Sequence, residues 1–324
     1  MKLDTENIKI IESKNQLRLF GYDEYIKTFI DLFHLNKLPH TLLISGQKGL
    51  GKSTFIYHFI NYLLSINEDK KYSLDSFTID PNNKSYKQIC DGIHPNFFHL
   101  TNQTPGEDIK IEDVRKLSTF LNKTTFSHNI RIVLIDNSEY LNVNSSNALL
   151  KSLEEPDSKT YFFIIHNSFK KILDTIKSRS LKFNIYFSTK SKKKIFHEII
   201  KDYKFNYNLD KISENFYFDT PGNLLRYLNV FDNKNIDISR DKLSCIKYLI
   251  KNYQNIYNED FLSMISFFIE QFYKELLLKK DSNFNNHFVN REKILALIND
   301  TKEFYLDKKN LFLTLDTLLH DEKR

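Results

Sequence analysis

One stretch of the chain has the residue types and spacing of a phosphate-binding loop. Residues 46–53 read Gly-Gln-Lys-Gly-Leu-Gly-Lys-Ser, which completes the pattern G-x-x-x-x-G-K-[ST]. Gly46, Gly49 and Gly51 allow backbone N–H groups to surround a phosphate, Lys52 can reach the β- and γ-oxygens, and the Ser53 hydroxyl can ligate Mg²⁺. We predict that the loop binds ATP or ADP with Mg²⁺. A plain turn before a core helix is the alternative interpretation.

The flanks of this loop favour nucleotide binding over a plain turn. The apolar run 41–45 precedes it and predicts a short buried strand. Apolar residues then recur at helical spacing, at Phe55, Ile56, Phe59, Ile60, Leu63 and Leu64. Strand, glycine turn and helix follow one another in the order that a phosphate-binding loop requires.

A second candidate group is Asp136, which ends the apolar run 130–136. In P-loop proteins an acid at the carboxyl end of such a strand holds the Mg²⁺ shell, so Asp136 is the expected partner of Ser53. The alternative is a strand-terminal aspartate that caps the following turn.

The residue after Asp136 bears on hydrolysis. Asn137 stands where many ATPases carry a glutamate that polarises the attacking water. An amide can orient a water molecule, but it can neither accept its proton nor supply negative charge. Glu139 is nearby in sequence, and two residues further along the turn we expect its carboxylate to point elsewhere.

Three further segments carry a family resemblance. Residues 147–156 read Asn-Ala-Leu-Leu-Lys-Ser-Leu-Glu-Glu-Pro, residues 161–167 form an apolar run that ends in Asn167, and residues 175–180 read Thr-Ile-Lys-Ser-Arg-Ser. Together with the opening Leu19-Phe20-Gly21-Tyr22, they closely resemble the bacterial clamp-loader ATPases of the AAA+ class. The resemblance covers about residues 18–185. Residues 90–98 resemble most closely the delta-prime branch of that family.

The resemblance implies roles for two more residues. Arg179 matches the arginine that reaches a neighbouring subunit's γ-phosphate, an arginine finger acting in trans; on the residues alone, a surface arginine paired with an acid or helix carbonyls is the commoner case. Asn167 matches the sensor position that contacts the γ-phosphate or the attacking water, and a plain loop residue is an equal alternative.

The chain also departs from the family pattern at several places. The upstream cysteines that hold zinc in many relatives are missing, and the usual Ser-Arg-Cys reads Ser178-Arg179-Ser180. We therefore expect no zinc; Cys90 and His94 alone do not make a four-ligand site. In the segment 221–228, which resembles the second-sensor helix, the arginine position holds Leu225, and Arg226 lies one residue further along.

The remaining patterns set the expected domain organisation. Ile109 and Ile111 suggest a short strand, and Val114, Leu117, Phe120 and Leu121 a helix after it. From about Thr189 the chain reads as helical, and we expect its lysine run, Lys190 and Lys192 to Lys194, to be a solvated face.

We predict an α/β fold of the AAA+ type, with a P-loop parallel-sheet domain at 1–187, a small helical lid at 188–235 and an all-α collar domain at 236–324.

Composition narrows the function classes further. The 324 residues carry a net charge of +6, which weakly favours a polyanionic partner. Cys90 and Cys245 lie far apart without metal-type spacing, and the N-terminus has no apolar signal core. We expect a soluble cytoplasmic protein with no membrane partner.

The resemblance implies a clamp-loader subunit that joins other loader subunits, the sliding clamp and primer-template DNA. One alternative is a self-sufficient ATPase of the clamp-loader type that hydrolyses its own ATP. The other is a scaffold whose phosphate loop no longer binds nucleotide. Asn137 favours the assembly role, in which the chain's own ATPase is weak or absent.

Overall fold

The computed structural model describes most of the chain. The described residues are 11–104, 106–123, 130–203, 214–231, 236, 238, 241–253, 261–278, 284–304 and 306–321. They fall into two compact units. The first takes in described residues of Ile10–Phe205 together with Thr220–Asn223, and the second takes in those of Asn206–Asp219 and Leu224–Arg324. The boundaries of the predicted lid and collar stay a prediction.

The first unit is built on a parallel sheet. Its strands are β1 (Thr41–Gly46), β2 (Phe97–Leu100), β3 (Arg131–Ile135), β4 (Thr160–Asn167) and β5 (Leu181–Asn184). Their order across the sheet is β2-β3-β4-β1-β5, and every neighbouring pair is parallel. Parallel strands place their carboxyl ends at one edge, where ligands bind in open α/β sheets. That edge therefore carries the candidate site.

Helices surround this sheet. They are α1 (Asp23–His34), α2 (Lys52–Ser65), α3 (Lys84–Cys90), α4 (Ile111–Leu121), α5 (Val143–Glu154), α6 (Asp174–Lys177) and α7 (Thr189–Asp202). The sheet separates two apolar clusters: Phe29, Phe55 and Phe59 belong to one, and Val114 and Leu149 to the other. Burial on both faces explains why the central strands read as continuous apolar runs.

The second unit is helical. It contains α9 (Lys242–Lys251), α10 (Phe261–Leu278), α11 (Phe284–Glu303) and α12 (Lys308–Asp321), together with most of α8 (Pro221–Phe231). The predicted α/β fold with a helical C-terminal part is therefore confirmed. Within the described residues, no helix combines the length and apolar character needed to cross a bilayer.

Two sequence expectations were wrong. Ile109 forms a single parallel bridge with Leu141, and Ile111 is the first residue of α4, so these residues do not make a strand. Glu112 and Asp113 follow in the first helical turn, where acids favour helix initiation. In the lysine run, Lys190 and Lys194 are exposed, but Lys192 is only 7% exposed.

A buried histidine links α2 to the N-terminal segment and makes stability depend on pH. His58 is fully buried; its Nδ1 lies 3.1 Å from the Tyr72 hydroxyl, and its Nε2 lies 3.0 Å from the Gln16 carbonyl. Burial lowers the pKa of His58 from 6.5 to about 3, although the contact with the Gln16 carbonyl opposes that shift. Between these pH values the unfolded chain binds one more proton at this site than the folded chain.

We expect the free energy of unfolding to fall as pH is lowered from 6.5 towards 3, with His58 contributing up to about 1.4 kcal/mol per pH unit. Denaturant titrations at several pH values should show a shallower dependence in His58→Gln. The exposed His34→Gln variant controls for loss of a histidine. Identical slopes in the unmodified protein and His58→Gln would contradict the assignment.

Candidate nucleotide site

The phosphate loop lies between β1 and α2, as its sequence pattern requires. Gly49 and Gly51 have φ values of +84° and +87°, a left-handed conformation that favours glycine. The Tyr22 hydroxyl donates a hydrogen bond of 3.0 Å to the Leu50 carbonyl, and Tyr22 itself is buried against Phe55 of α2. The loop therefore connects strand to helix in a conformation that larger residues at 49 and 51 would strain.

Lys52 carries a buried positive charge at the start of α2. Its Nζ donates hydrogen bonds to the carbonyls of Gly46 at 2.8 Å and Gln47 at 2.7 Å. Burial lowers the pKa of Lys52 to about 8, while the negative charges of Asp136 and Glu139 oppose that shift. The ammonium group is thus held inside the loop by neutral carbonyls, at the position where a phosphate would offer a stronger, charged acceptor.

Ser53 and Asp136 come together although 83 positions separate them in the chain. The Ser53 hydroxyl donates to Asp136 Oδ2 at 2.7 Å, and Asp136 Oδ1 accepts the N–H of Asn137 at 2.9 Å. A hydroxyl and a carboxylate are the kind of oxygen ligands that Mg²⁺ takes in nucleotide sites. These residues fit a Mg²⁺ that arrives with the nucleotide.

Asn137 is turned towards β2. It has φ +53°, and its Nδ2 donates to Asn102 Oδ1 at 3.0 Å and to Thr101 Oγ1 at 3.4 Å. Its amide therefore joins the turn after β3 to the segment after β2. The position that carries a glutamate in many ATPases contributes no negative charge here.

Glu139 departs from the expectation that its carboxylate points elsewhere. Its Oε2 accepts the N–H of Asn167 at 3.2 Å. Asn167 ends β4 and is the register partner of Gly46, the first glycine of the loop. The turn Ser138–Tyr140 is a short 3-10 helix, and it directs Glu139 back to the strand that adjoins the phosphate loop.

Asn167 is the last residue of β4, at the carboxyl edge of the sheet. Its Oδ1 accepts the N–H of Phe169 at 3.2 Å, which closes the turn after the strand. Ser168 N–H donates to the Gly46 carbonyl at 3.1 Å. The backbone of this turn is therefore joined directly to the loop, and both interpretations of Asn167 remain compatible with its position.

Arg179 follows α6 and pairs with an acid. Its Nε donates to Glu154 Oε1 at 2.7 Å, and its Nη1 donates to the Thr175 carbonyl at 3.1 Å. These are the partners expected of a surface arginine. Within the described part of the chain, Arg179 forms no hydrogen bond or ion pair with the phosphate loop. Its role in trans stays a prediction.

Three groups whose contacts the sequence reasoning missed donate hydrogen bonds to the loop. Thr220 Oγ1 donates to the Lys48 carbonyl at 2.8 Å, and Gly222 N–H donates to the Gly49 carbonyl at 2.9 Å. Lys192 of α7 donates to Gln47 Oε1 at 3.1 Å. The sequence Thr220-Pro221 carries a signal for the start of a helix here, because threonine is favoured at the N-cap and proline at the first helical position.

Comparisons with known proteins identify the family of this chain. The family model described as "DNA polymerase III, delta subunit" matches residues 21–188. The DNA polymerase III subunit delta' of Pseudomonas aeruginosa is 32% identical over 140 residues, which are 43% of this chain and 41% of that protein. The DNA polymerase III subunit gamma of Buchnera aphidicola (from Schizaphis graminum) is 25% identical over 310 residues, 94% of this chain and 76% of that one.

Two further similarities concern another delta' subunit and a solved structure. The delta' subunit of Escherichia coli K12 is 27% identical over 140 residues, which are 40% of its length. The chain thus spans less than half the length of these delta' relatives. A solved gamma subunit-related protein of Thermotoga maritima has a TM-score of 0.46 at 13% identity and covers 92% of this chain and 99% of its own.

The matched region contains every residue of the candidate site from Gly46 to Arg179, and it extends over just over half of the 324 residues. The phosphate loop, the acid after β3 and the arginine after α6 all lie inside it. The chain belongs to the DNA polymerase III, delta subunit, family.

Proposed function

We propose that the protein is the delta-prime subunit of a DNA polymerase III clamp loader, where it helps to load the sliding clamp onto primed DNA. The observation that carries this proposal is the intact phosphate loop with Ser53 paired to Asp136, in a chain of this family. The proposed partners are the other loader subunits, the clamp and primer-template DNA, in the cytoplasm. The gamma relative matches over a longer stretch, so a gamma-type role is the related alternative.

In this proposal the chain binds ATP or ADP and turns it over slowly. The loop amides and Lys52 hold the phosphates, and Ser53 and Asp136 hold the Mg²⁺ that accompanies them. The metal would neutralise charge on the phosphate oxygens. Because the Asn137 amide cannot accept a proton, efficient hydrolysis is not expected at this site.

One observation favours the second candidate function, a self-sufficient ATPase. The carboxylate of Glu139 lies next to Asn167, at the carboxyl end of β4. A negative charge there is compatible with some turnover by the isolated chain. The two candidates therefore differ in rate, and nucleotide binding is common to both.

We expect the purified protein to bind Mg²⁺–ATP and Lys52→Ala to abolish that binding, because the substitution removes the buried ammonium group that the loop encloses. Calorimetric titration measures the affinity, and Lys71→Ala, an exposed lysine, is the matched control. Undiminished binding by Lys52→Ala, or none by the unmodified protein, would favour a scaffold with a vestigial loop. Brisk turnover by the monomer would favour the self-sufficient ATPase.

We expect Arg179→Ala to lower DNA-stimulated ATPase and clamp loading by the reconstituted complex. Arginine fingers contribute on the order of 10³-fold or more in other P-loop systems, but other sites in the complex should make the overall loss partial. Lysine should substitute poorly, because it lacks the planar fork of two parallel donors. Folding and this chain's own nucleotide affinity should stay near normal, since an exposed ion pair contributes about 0–1 kcal/mol.

The exposed Arg115→Ala variant on α4 is the matched control for this experiment. Clamp loading at the unmodified rate by the Arg179→Ala complex would refute action in trans. Loss of nucleotide binding by the isolated Arg179→Ala protein would show that this arginine serves its own site.

We also propose that the C-terminal helices carry assembly, because they expose large apolar side chains. Phe284 and Phe288 are one helical turn apart on α11 and are 43% and 48% exposed, and the adjacent Val289 is 61% exposed. Contiguous apolar surface of this kind marks protein–protein contact sites.

We expect Phe284→Asp/Phe288→Asp to prevent co-purification with the other loader subunits while nucleotide affinity and melting temperature stay unchanged. Leu35→Asp is the matched control, since Leu35 is an apolar residue 63% exposed in the first unit. If the double variant co-purifies normally, this part of α11 does not form the assembly surface.

A further inference from the structure

Besides Asp136, the segment after β3 places a second carboxylate, that of Glu139, at the carboxyl edge of the sheet. Two contacts join this turn to the end of β4. Glu139 Oε2 accepts the Asn167 N–H at 3.2 Å, and Lys170 Nζ donates to the Tyr140 hydroxyl at 2.6 Å while lying 4.0 Å from the centre of that ring. Contacts of Glu139 and of the next residue, Tyr140, therefore hold this turn against the end of β4 and the segment that follows it.

The residue that usually carries this carboxylate is directed away. The Asn137 amide donates to Asn102 and Thr101, which follow β2. Glu139 instead contacts β4, which pairs with β1 in the sheet. Ser168, the residue that follows β4, donates its N–H to the Gly46 carbonyl. Of the two, Glu139 is the side chain joined to the strand that touches the phosphate loop.

The charges around Glu139 agree with this placement. Its negative charge raises the pKa of Lys52 against the effect of burial, and it acts in the same direction on the pKa of His166. Both groups lie at the carboxyl ends of the central strands or the loop that follows them. A carboxylate that interacts with the phosphate-binding lysine is close to where a terminal phosphate would sit.

We propose that Glu139, and not the residue at 137, is the carboxylate that orients and polarises the water attacking a bound terminal phosphate. The inference rests on the proposed nucleotide binding. Oε2 stays on the Asn167 N–H, and Oε1, which has no hydrogen-bond partner among the described residues, accepts a proton of the water. The water oxygen forms a bond to the γ-phosphorus as the bond to the β,γ-bridging oxygen breaks. ADP leaves with that electron pair, and the proton passes to Glu139 and then to solvent.

The same geometry explains why the turnover should be slow. One of the two carboxylate oxygens of Glu139 stays on the Asn167 N–H, which leaves Oε1 to contact the water. Asn167, held by the same contact, is placed to orient the same water. We infer that Glu139 supports a low basal rate that the family pattern at 137 alone would not predict.

The test is single-turnover hydrolysis with the full chain in excess over Mg²⁺–ATP labelled on the γ-phosphate, together with a nucleotide titration. Glu139→Gln keeps an oxygen that accepts the Asn167 N–H but loses the negative charge. We expect its phosphate release to fall by about 10-fold or more, because a general base contributes roughly 10²–10⁴-fold. Nucleotide affinity should stay within about two-fold of the unmodified protein, since the group acts on the water.

A second variant is Glu139→Asp, whose side chain is one methylene shorter. We expect it to show an intermediate rate, and it replaces Glu139→Gln in the test if that variant does not fold. Glu112→Gln, an exposed glutamate of α4, is the matched control, and Lys52→Ala reports any contaminating ATPase.

Each outcome decides the inference. Equal phosphate release by the unmodified protein and Glu139→Gln overturns it, and so does an unmodified protein that binds ATP without measurable release. A parallel fall in affinity and rate shows that Glu139 serves only to hold the site. Failure of the unmodified protein to bind ATP refutes the proposed nucleotide binding itself, and the inference falls with it.

Discussion

The buried ammonium of Lys52 is the constraint on which the rest of the nucleotide unit depends. A charge removed from water is costly unless polar groups surround it, and here the carbonyls of Gly46 and Gln47 do so at 2.8 and 2.7 Å. Those carbonyls point inward only because the loop turns through left-handed glycines. The acids Asp136 and Glu139 supply the long-range compensation. The loop conformation, its glycines and the acids after β3 thus all help to stabilise the buried charge of Lys52.

Within that arrangement the side chains at positions 137 and 139 point in different directions. The backbone of Asn137 adopts a left-handed conformation that asparagine tolerates better than most residues, and its side chain bonds across to β2. The short 3-10 helix that follows then directs Glu139 to β4. A single turn therefore sets the directions of both side chains, with Asn137 bonded to the segment after β2 and Glu139 bonded to β4.

Local patterns predicted the loop, the strands and Asp136, because each depends on residues within one strand–turn–helix unit. They failed where tertiary contacts decide. Ile109 and Ile111 alternate like a strand, but helix α4 begins at Ile111. Lys192 belongs to a charged run, yet α7 turns it towards Gln47. The direction of Glu139 depends on a partner 28 positions away, and no spacing rule contains that information.

The phosphate loop lies in close contact with the first residues of α8. A Cβ on Gly222 would lie 2.7 Å from the Gly49 carbonyl oxygen, and one on Gly49 would lie 2.2 Å from Thr220 Oγ1, so each glycine allows the approach of the other segment. Thr220–Asn223 therefore belongs to the nucleotide unit, whereas α8 from Leu224 onward belongs to the helical unit. Two hydrogen bonds, from Thr220 Oγ1 to the Lys48 carbonyl and from the Gly222 N–H to the Gly49 carbonyl, therefore tie this turn to the phosphate loop. A side chain added at either glycine would disturb the loop and the turn together, because each segment occupies the space that the other glycine leaves free.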